Sequence, residues 1–521
     1  MLAGPVGFGL GFWPWLRLEC PRAFRRSGHF FMTDHEIVNR SNRFASAILF
    51  IAIAGAPLPL GSRDPITVAL WCLLLGLGLL LASTARLRGG HFLLLGGMGL
   101  IVACYGFVLH EQLSDHPWIA TPNPIWAKTS ELLGRPLTPS VSIVRGEPFY
   151  ALGAPLSCVL ALILGLVVGA DSNHARRALL VMGWSGVAYA IYGIWSLFFD
   201  PTTFLWREKA GDAGVLTATF VNRNTAAAYF GSCAVVWLTM LMAEIRGRLP
   251  AGQIVWTKVV QHIASKAPEE KRLVIRFCMF FVCLAAMFMT GSRGGVISSL
   301  FAMVVAFVLF FRRDIPRVIG LLIAVVGAGT MALALLQFLG GNVETRIDAG
   351  GLVDQGRLEA YRSTLRIIAD YPWFGSGLGT FAWVFPAYRS GNISIVGVWD
   401  IAHSTPLELA VEVGIPLTLV IVAGWIVAIL VLIKGTSRSR RETVVPLAAL
   451  AVSLIALLHS SIDFSLQVSG YAIVIFALLG VGLADSFNVA SSTHRRRQRH
   501  RSESVDTEIQ ERGLSVAEPP I

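Results

Sequence analysis

Apolar runs of about 20 residues recur along this chain between residues 44 and 485, and few folds can accommodate them. Hydrocarbon offers a backbone amide no water partner, so each run must satisfy its own amides as a helix. We place twelve such runs, at 44–60, 65–85, 91–110, 150–170, 179–199, 225–243, 274–290, 295–311, 318–339, 406–433, 445–462 and 469–485. A chain that is 54% hydrophobic and 14% charged, with a mean hydropathy of +0.64, lies far from soluble globular composition. The expected fold class is therefore an all-α polytopic membrane protein with about twelve transmembrane helices.

Charge sets the expected orientation. Lys and Arg accumulate in loops kept on the cytoplasmic side, and with both termini inside, most of the 43 basic residues fall there. Arg86 with Arg88, Arg176 with Arg177, Arg312 with Arg313, and Arg438 with Arg440 and Arg441 all follow this pattern. The net charge of +11 then reports topology and an anionic inner leaflet, and no nucleic-acid partner is expected because the basic residues are dispersed. Three parts follow: a cytoplasmic N-terminal extension over 1–43, a transmembrane domain over 44–485, and a disordered basic cytoplasmic tail over 486–521. Residues 1–31 lack the pattern of a secretory signal, and Met32 is an alternative start. All seven cysteines fall in the runs or the extension, so neither disulfides nor a metal site is expected from them.

Four polar elements share the outer face on this topology: 111–149, 200–224, the Gly291–Gly295 hinge, and a long segment at 340–405 between spans nine and ten. The last is too long for a plain connection. Within it, 355–370 has the spacing of an amphipathic helix with Leu358, Tyr361, Leu365 and Ile368 as its apolar stripe and Arg362 and Arg366 alongside. It is expected to lie on the membrane surface and cap the bundle. The helix should stop at Tyr371-Pro372, with Gly375, Gly377 and Gly379 forming a tight turn. Thr405, Pro406 and Glu408 predict a capping box at the start of the tenth span, placing His403 at the water boundary and Glu412 one turn below Glu408.

Candidate chemistry gathers on this face. Arg293 sits between two apolar runs with almost no loop around it, and with Arg357 it forms a candidate anion site; the alternative is a snorkelling anchor. His403 can accept a proton near neutral pH, with Asp400 and Glu412 as carboxylates to orient or balance it. Asn222 and Asn224 precede the sixth span, and His459 and Asp463 end the eleventh. For these, helix capping by Asn224 and a His459 to Asp463 hydrogen bond are structural alternatives. The chain contains no Asp-x-Asp pair, so no divalent metal is expected.

The segments Phe220–Asn224, Thr290–Gly295, Tyr371–Gly379 and His403-Ser404 through Glu412–Gly414, in this order and on one face, resemble the O-antigen ligase and O-antigen polymerase superfamily. The resemblance runs over about 215–470 and is carried by motif order, since each motif alone is weak. It implies a GT-C-like, metal-independent, inverting glycosyltransferase of the bacterial inner membrane, with its site facing the periplasm and no cofactor. The donor would be a polyprenyl-diphosphate-linked glycan, the acceptor a lipid A-core or a second carrier-linked glycan, and the surroundings membrane lipids. By the same resemblance Arg293 and Arg357 hold the diphosphate and His403 activates the acceptor hydroxyl, while Arg362 and Arg366 stay open as alternatives to Arg357. The loop 111–149 and the N-terminal extension depart from the family pattern. Ligase and polymerase are not separated by the sequence. A transporter or flippase, the reading from another class, predicts internal repeats and ionisable residues at mid-membrane, and neither pattern is evident.

Overall fold

The computed structural model describes residues 34–209, 211, 214–248, 270–314, 355–393, 399–437 and 443–488. The ninth predicted span, the start of the polar segment, most of the N-terminal extension and most of the tail lie outside the described residues. The helices are α1 (Asp34–Gly55), α2 (Pro65–Leu81), α3 (Gly89–Leu113), α4 (Ile125–Leu133), α5 (Glu147–Ala151), α6 (Gly153–Gly169), α7 (Ser172–Phe199) and α8 (Arg223–Arg248). They continue with α9 (Glu270–Met289), α10 (Arg293–Phe311), α11 (Gln355–Asp370), α12 (Phe381–Tyr388), α13 (Thr405–Thr436), α14 (Val444–Ser460) and α15 (Ser469–Asn488). Among the described residues, eight helical stretches are long and apolar enough to cross a membrane, and the apolar helices of α1, α2 and α14 are shorter. Every predicted run within the described residues is helical, as expected of an all-α polytopic membrane protein. A two-residue antiparallel pair, Thr203–Phe204 against Arg207–Glu208, is the strand content among the described residues.

Two helices form the centre. The apolar windows of α8 and α15 are each 89% buried inside the protein, far above those of the lipid-facing helices. Around α8 pack α7, α9, α10 and α14. A second, smaller core belongs to the polar segment: Ala360 and Ile367 of α11, Phe381 and Phe385 of α12, Ala402, and Val411 of α13. The described residues of the segment thus share an apolar interior with the start of α13.

The predicted 355–370 helix is present, but its buried face is rotated. Ala360, Ser363, Thr364, Ile367 and Ile368 are buried, whereas Leu358 and Leu365 are exposed. Small side chains let α11 approach its neighbours closely, which leaves the two leucines on the outer side. Beyond α11, Tyr388 of α12 donates its phenol to Asp370 Oδ2 at 2.5 Å, and burial together with that carboxylate pushes the phenol well above its ordinary pKa.

The tenth span departs from a continuous helix. Gly414 interrupts α13 with φ 81° and ψ 165°, and Pro416 follows two residues later. Proline has no N–H, so the carbonyl of Glu412 loses its intrahelical donor. In lipid such a carbonyl must find another partner. Glu412 O accepts from Gly377 N at 3.2 Å and Gln112 Nε2 at 2.8 Å, and Val411 O accepts from Ser376 N at 2.7 Å. The freed Ile415 N–H donates to Pro372 O at 2.8 Å. Gln112, fully buried near the end of α3, also donates to Phe374 O at 2.7 Å and accepts from Leu378 N at 3.0 Å. The glycine-rich turn fits closely against the break: Gly375 has φ 70°, and a Cβ there would lie 2.3 Å from the carbonyl carbon of Glu412.

Candidate functional site

The turn that follows α14 is the point where the predicted site residues meet. Asp463, 2% exposed, accepts from Phe464 N at 2.7 Å through Oδ1 and from Asn224 Nδ2 at 2.6 Å through Oδ2. Arg357, on the first turn of α11, donates to Ile462 O at 3.1 Å and reaches Asp463 Oδ2 at 3.5 Å. The start of α10 presses on the same turn, since a Cβ at Gly294 would lie 2.8 Å from Ile462 Cδ1. Next to Gly294, Arg293 is partly exposed, and its guanidinium makes no hydrogen bond or ion pair among the described residues.

His403 arrives from the other side. Its ring stands edge-on to Phe464, with centroids 5.3 Å apart, and to Trp399 at 5.6 Å. Its backbone is left-handed, with φ 54°, a conformation that costs a non-glycine residue about 1 kcal/mol and persists only where surroundings enforce it. Two bonds bracket it: Ala402 N donates to Glu408 Oε2 at 2.7 Å, and Tyr361 Oη donates to His403 O at 2.9 Å.

Five predicted residues thus come together, Arg357 and His403 with Asn224, His459 and Asp463, and Arg293 adjoins them through its neighbour Gly294. Several roles differ from expectation. Asn222, not Asn224, caps α8, its Oδ1 accepting from Asn224 N at 2.6 Å and Thr225 N at 3.3 Å. His459 bonds through Nδ1 to Ser465 Oγ at 2.6 Å, while Asp463 is taken up by Asn224 and Arg357. The expected capping box is shifted: Ser404 occupies the N-cap position without a side-chain cap bond, and Glu408 reaches past it to Ala402. Glu412 turns its carboxylate to the start of α12, accepting from Phe381 N at 3.2 Å, where the helix N-terminus favours negative charge. Asp400 pairs with Arg63 at 3.3 Å on the surface. Of the three arginines left open on α11, Arg362 is 67% exposed and pairs with Glu359, Arg366 is exposed, and Arg357 reaches the site turn.

Sequence reasoning missed four contributors. Tyr361 stood in the apolar stripe, where its hydroxyl carried no signal. Arg63 and Gln112 act on residues far away in sequence, Arg63 at a separation of 337. Arg223 sits beside the hinge, its Nη1 4.0 Å from where a Cβ of Gly291 would be. That one was legible, since Asn222-Arg223-Asn224 places a cation at a span end just as the hinge places Arg293.

A buried carboxylate with a guanidinium and an imidazole around it, and a second arginine on the adjoining helix, suit an anionic substrate that also needs a proton removed. Planar guanidinium forks match phosphate oxygens and stay charged, and imidazole accepts a proton near neutrality. Among the described residues no three His, Cys, Asp or Glu side chains gather as metal ligands. The fold is that of a multi-pass membrane protein. Residues 278–422 match the family model described as O-antigen ligase, which supports the resemblance to that superfamily over this stretch. The matched stretch contains Arg293, Arg357, His403 and the Gly414 break, while Asn224, His459 and Asp463 lie outside it. No curated protein matches the chain.

Proposed function

We propose that this protein transfers a glycan from a polyprenyl diphosphate carrier to a lipid A-core acceptor at the periplasmic end of the bundle. His403 takes the proton of the acceptor hydroxyl as its oxygen attacks the anomeric carbon from the face opposite the carrier. The bond from that carbon to the diphosphate oxygen breaks with inversion, and the electron pair leaves on the diphosphate. Arg293 and Arg357 hold the developing charge, a task that preorganised guanidiniums perform without metal. Asn224 and Asp463 keep Arg357 in place. The observation that carries this reading is that Arg357 and His403, from two separate elements, meet at the turn around Ile462 to Phe464, with Gly294, the neighbour of Arg293, against the same turn.

Two measurements test it. In membranes supplied with lipid-linked donor, His403→Ala should lower transfer by about 10²- to 10⁴-fold, the range for loss of a general base, with the protein still present. Transfer at the unaltered rate would remove His403 from the chemistry. Loss of the gene should leave lipopolysaccharide uncapped on gels with glycan retained on the carrier. A ladder cut to a single repeat would point to polymerisation, and unchanged lipopolysaccharide to another acceptor.

A further inference from the structure

His403 holds a backbone conformation that its own chemistry does not favour, and the group that touches its carbonyl comes from the helix that carries Arg357. Arg357 and Tyr361 are four residues apart on α11, hence neighbours on one helical face. Arg357 reaches Ile462 O and Asp463, and Tyr361 Oη donates to His403 O at 2.9 Å. One turn of helix therefore ties the Arg357 guanidinium to the backbone of His403. The carbonyl it grips belongs to the residue with φ 54°, so the bond acts on the torsion that aims the ring between Trp399 and Phe464.

We infer that Tyr361 is a positioning residue: its hydroxyl sets where the His403 imidazole stands relative to the Arg357 guanidinium, and so sets turnover. This rests on the reading of His403 as the base. The side chain touches no reacting atom. The ring is half-buried, and Tyr361→Phe removes the hydroxyl while keeping the ring. A small displacement of a base is costly because attack requires the reacting groups to be held within a few tenths of an ångström.

The experiment compares Tyr361→Phe with His403→Ala and the unaltered full-length protein in detergent or membranes, using lipid-linked glycan donor and lipid A-core acceptor. Losing one neutral hydrogen bond, about a factor of ten in an equilibrium, should lower kcat about tenfold in Tyr361→Phe, with KM for the donor unchanged and thermal stability retained. The imidazole should also react faster with diethyl pyrocarbonate, scored at the His403 peptide by mass spectrometry, and restoring tyrosine should restore both. Wild-type kcat in Tyr361→Phe beside an inactive His403→Ala would overturn the inference and leave the base assignment standing. Parallel loss of kcat, donor KM and thermal stability would reduce Tyr361 to a structural role and overturn it too. An active His403→Ala would remove the base on which the inference rests.

Discussion

The two polar ends of the bundle handle arginine in opposite ways. At the end away from the site, Arg246 pairs with Asp314 at 3.0 Å with 10% and 0% side-chain exposure. Glu244 receives Arg276 at 2.8 Å and Arg248 at 3.2 Å, and Arg312 and Arg313 donate to the carbonyls of Thr436 and Ser437 where α13 ends. Each of these cations is answered by a carboxylate or by a helix C-terminus, where positive charge is favoured. At the site end Arg357 donates to a peptide carbonyl and reaches a carboxylate shared with Asn224, and Arg293 has neither among the described residues. One end uses charge to hold helices together. On the proposed function, the other presents the Arg293 charge to the substrate.

The sharpest way to break that contrast is to remove charge at both ends and ask what each loss changes. Arg293→Ala should lower transfer by about 10²- to 10³-fold, the size of a lost oxyanion-type donor, while leaving the amount of folded protein unaltered. No partner is stranded by the change. Arg293→Lys should recover little, because an ammonium does not reproduce the planar fork. If Arg293→Ala instead lowered protein levels with normal turnover per molecule, the residue would be an anchor and the contrast would collapse.

Asp314→Asn should do the reverse. It leaves the Arg246 guanidinium in a buried place without its counter-charge, which costs about 2 kcal/mol for a lost charge-assisted bond. The expected outcome is a lower melting temperature in detergent and less protein in membranes, with transfer per folded molecule unchanged. A fall in turnover at constant stability would show that the two ends are coupled.

How far the sequence revealed this division depended on the range of the forces involved. The helices were legible because each apolar run must satisfy its own amides, a local demand. Arg293 and His403 were legible for the same reason, standing where apolar runs begin. The break in α13 was not, although Pro416 lies in plain view, because prolines in buried helices are often tolerated and the partners that stabilise this break lie elsewhere. Gln112 is 300 residues from Glu412, and the Tyr371–Gly379 turn precedes the break by some forty positions. The face of α11 was misjudged because leucine spacing was read as a core signal, whereas Ala360, Ser363 and Thr364 are the residues that pack. In a chain surrounded by lipid, close approach of small side chains decides helix contacts and leucine has no need to turn inward. The partner of Asp463 was missed on similar grounds: the i+4 spacing to His459 suggested a local bond, and Asn224 supplied a stronger one from another helix.

The smallest predicted effect bears on what belongs to the site end at all. Asp400 lies three residues before His403, and local spacing suggested it as the partner of the imidazole. The structure gives it Arg63 at 3.3 Å, with side chains 57% and 44% exposed. Pairs so open to solvent contribute about 0–1 kcal/mol, and salt screens them further. Asp400→Asn should therefore change stability within that range, and should leave the pH dependence of transfer where it was. Raising the salt concentration should erase whatever difference remains. A pH profile displaced in Asp400→Asn would mean that this carboxylate acts on the imidazole after all, and the charged groups that matter at the site end would then include one more than Arg293, Arg357, His403 and Asp463.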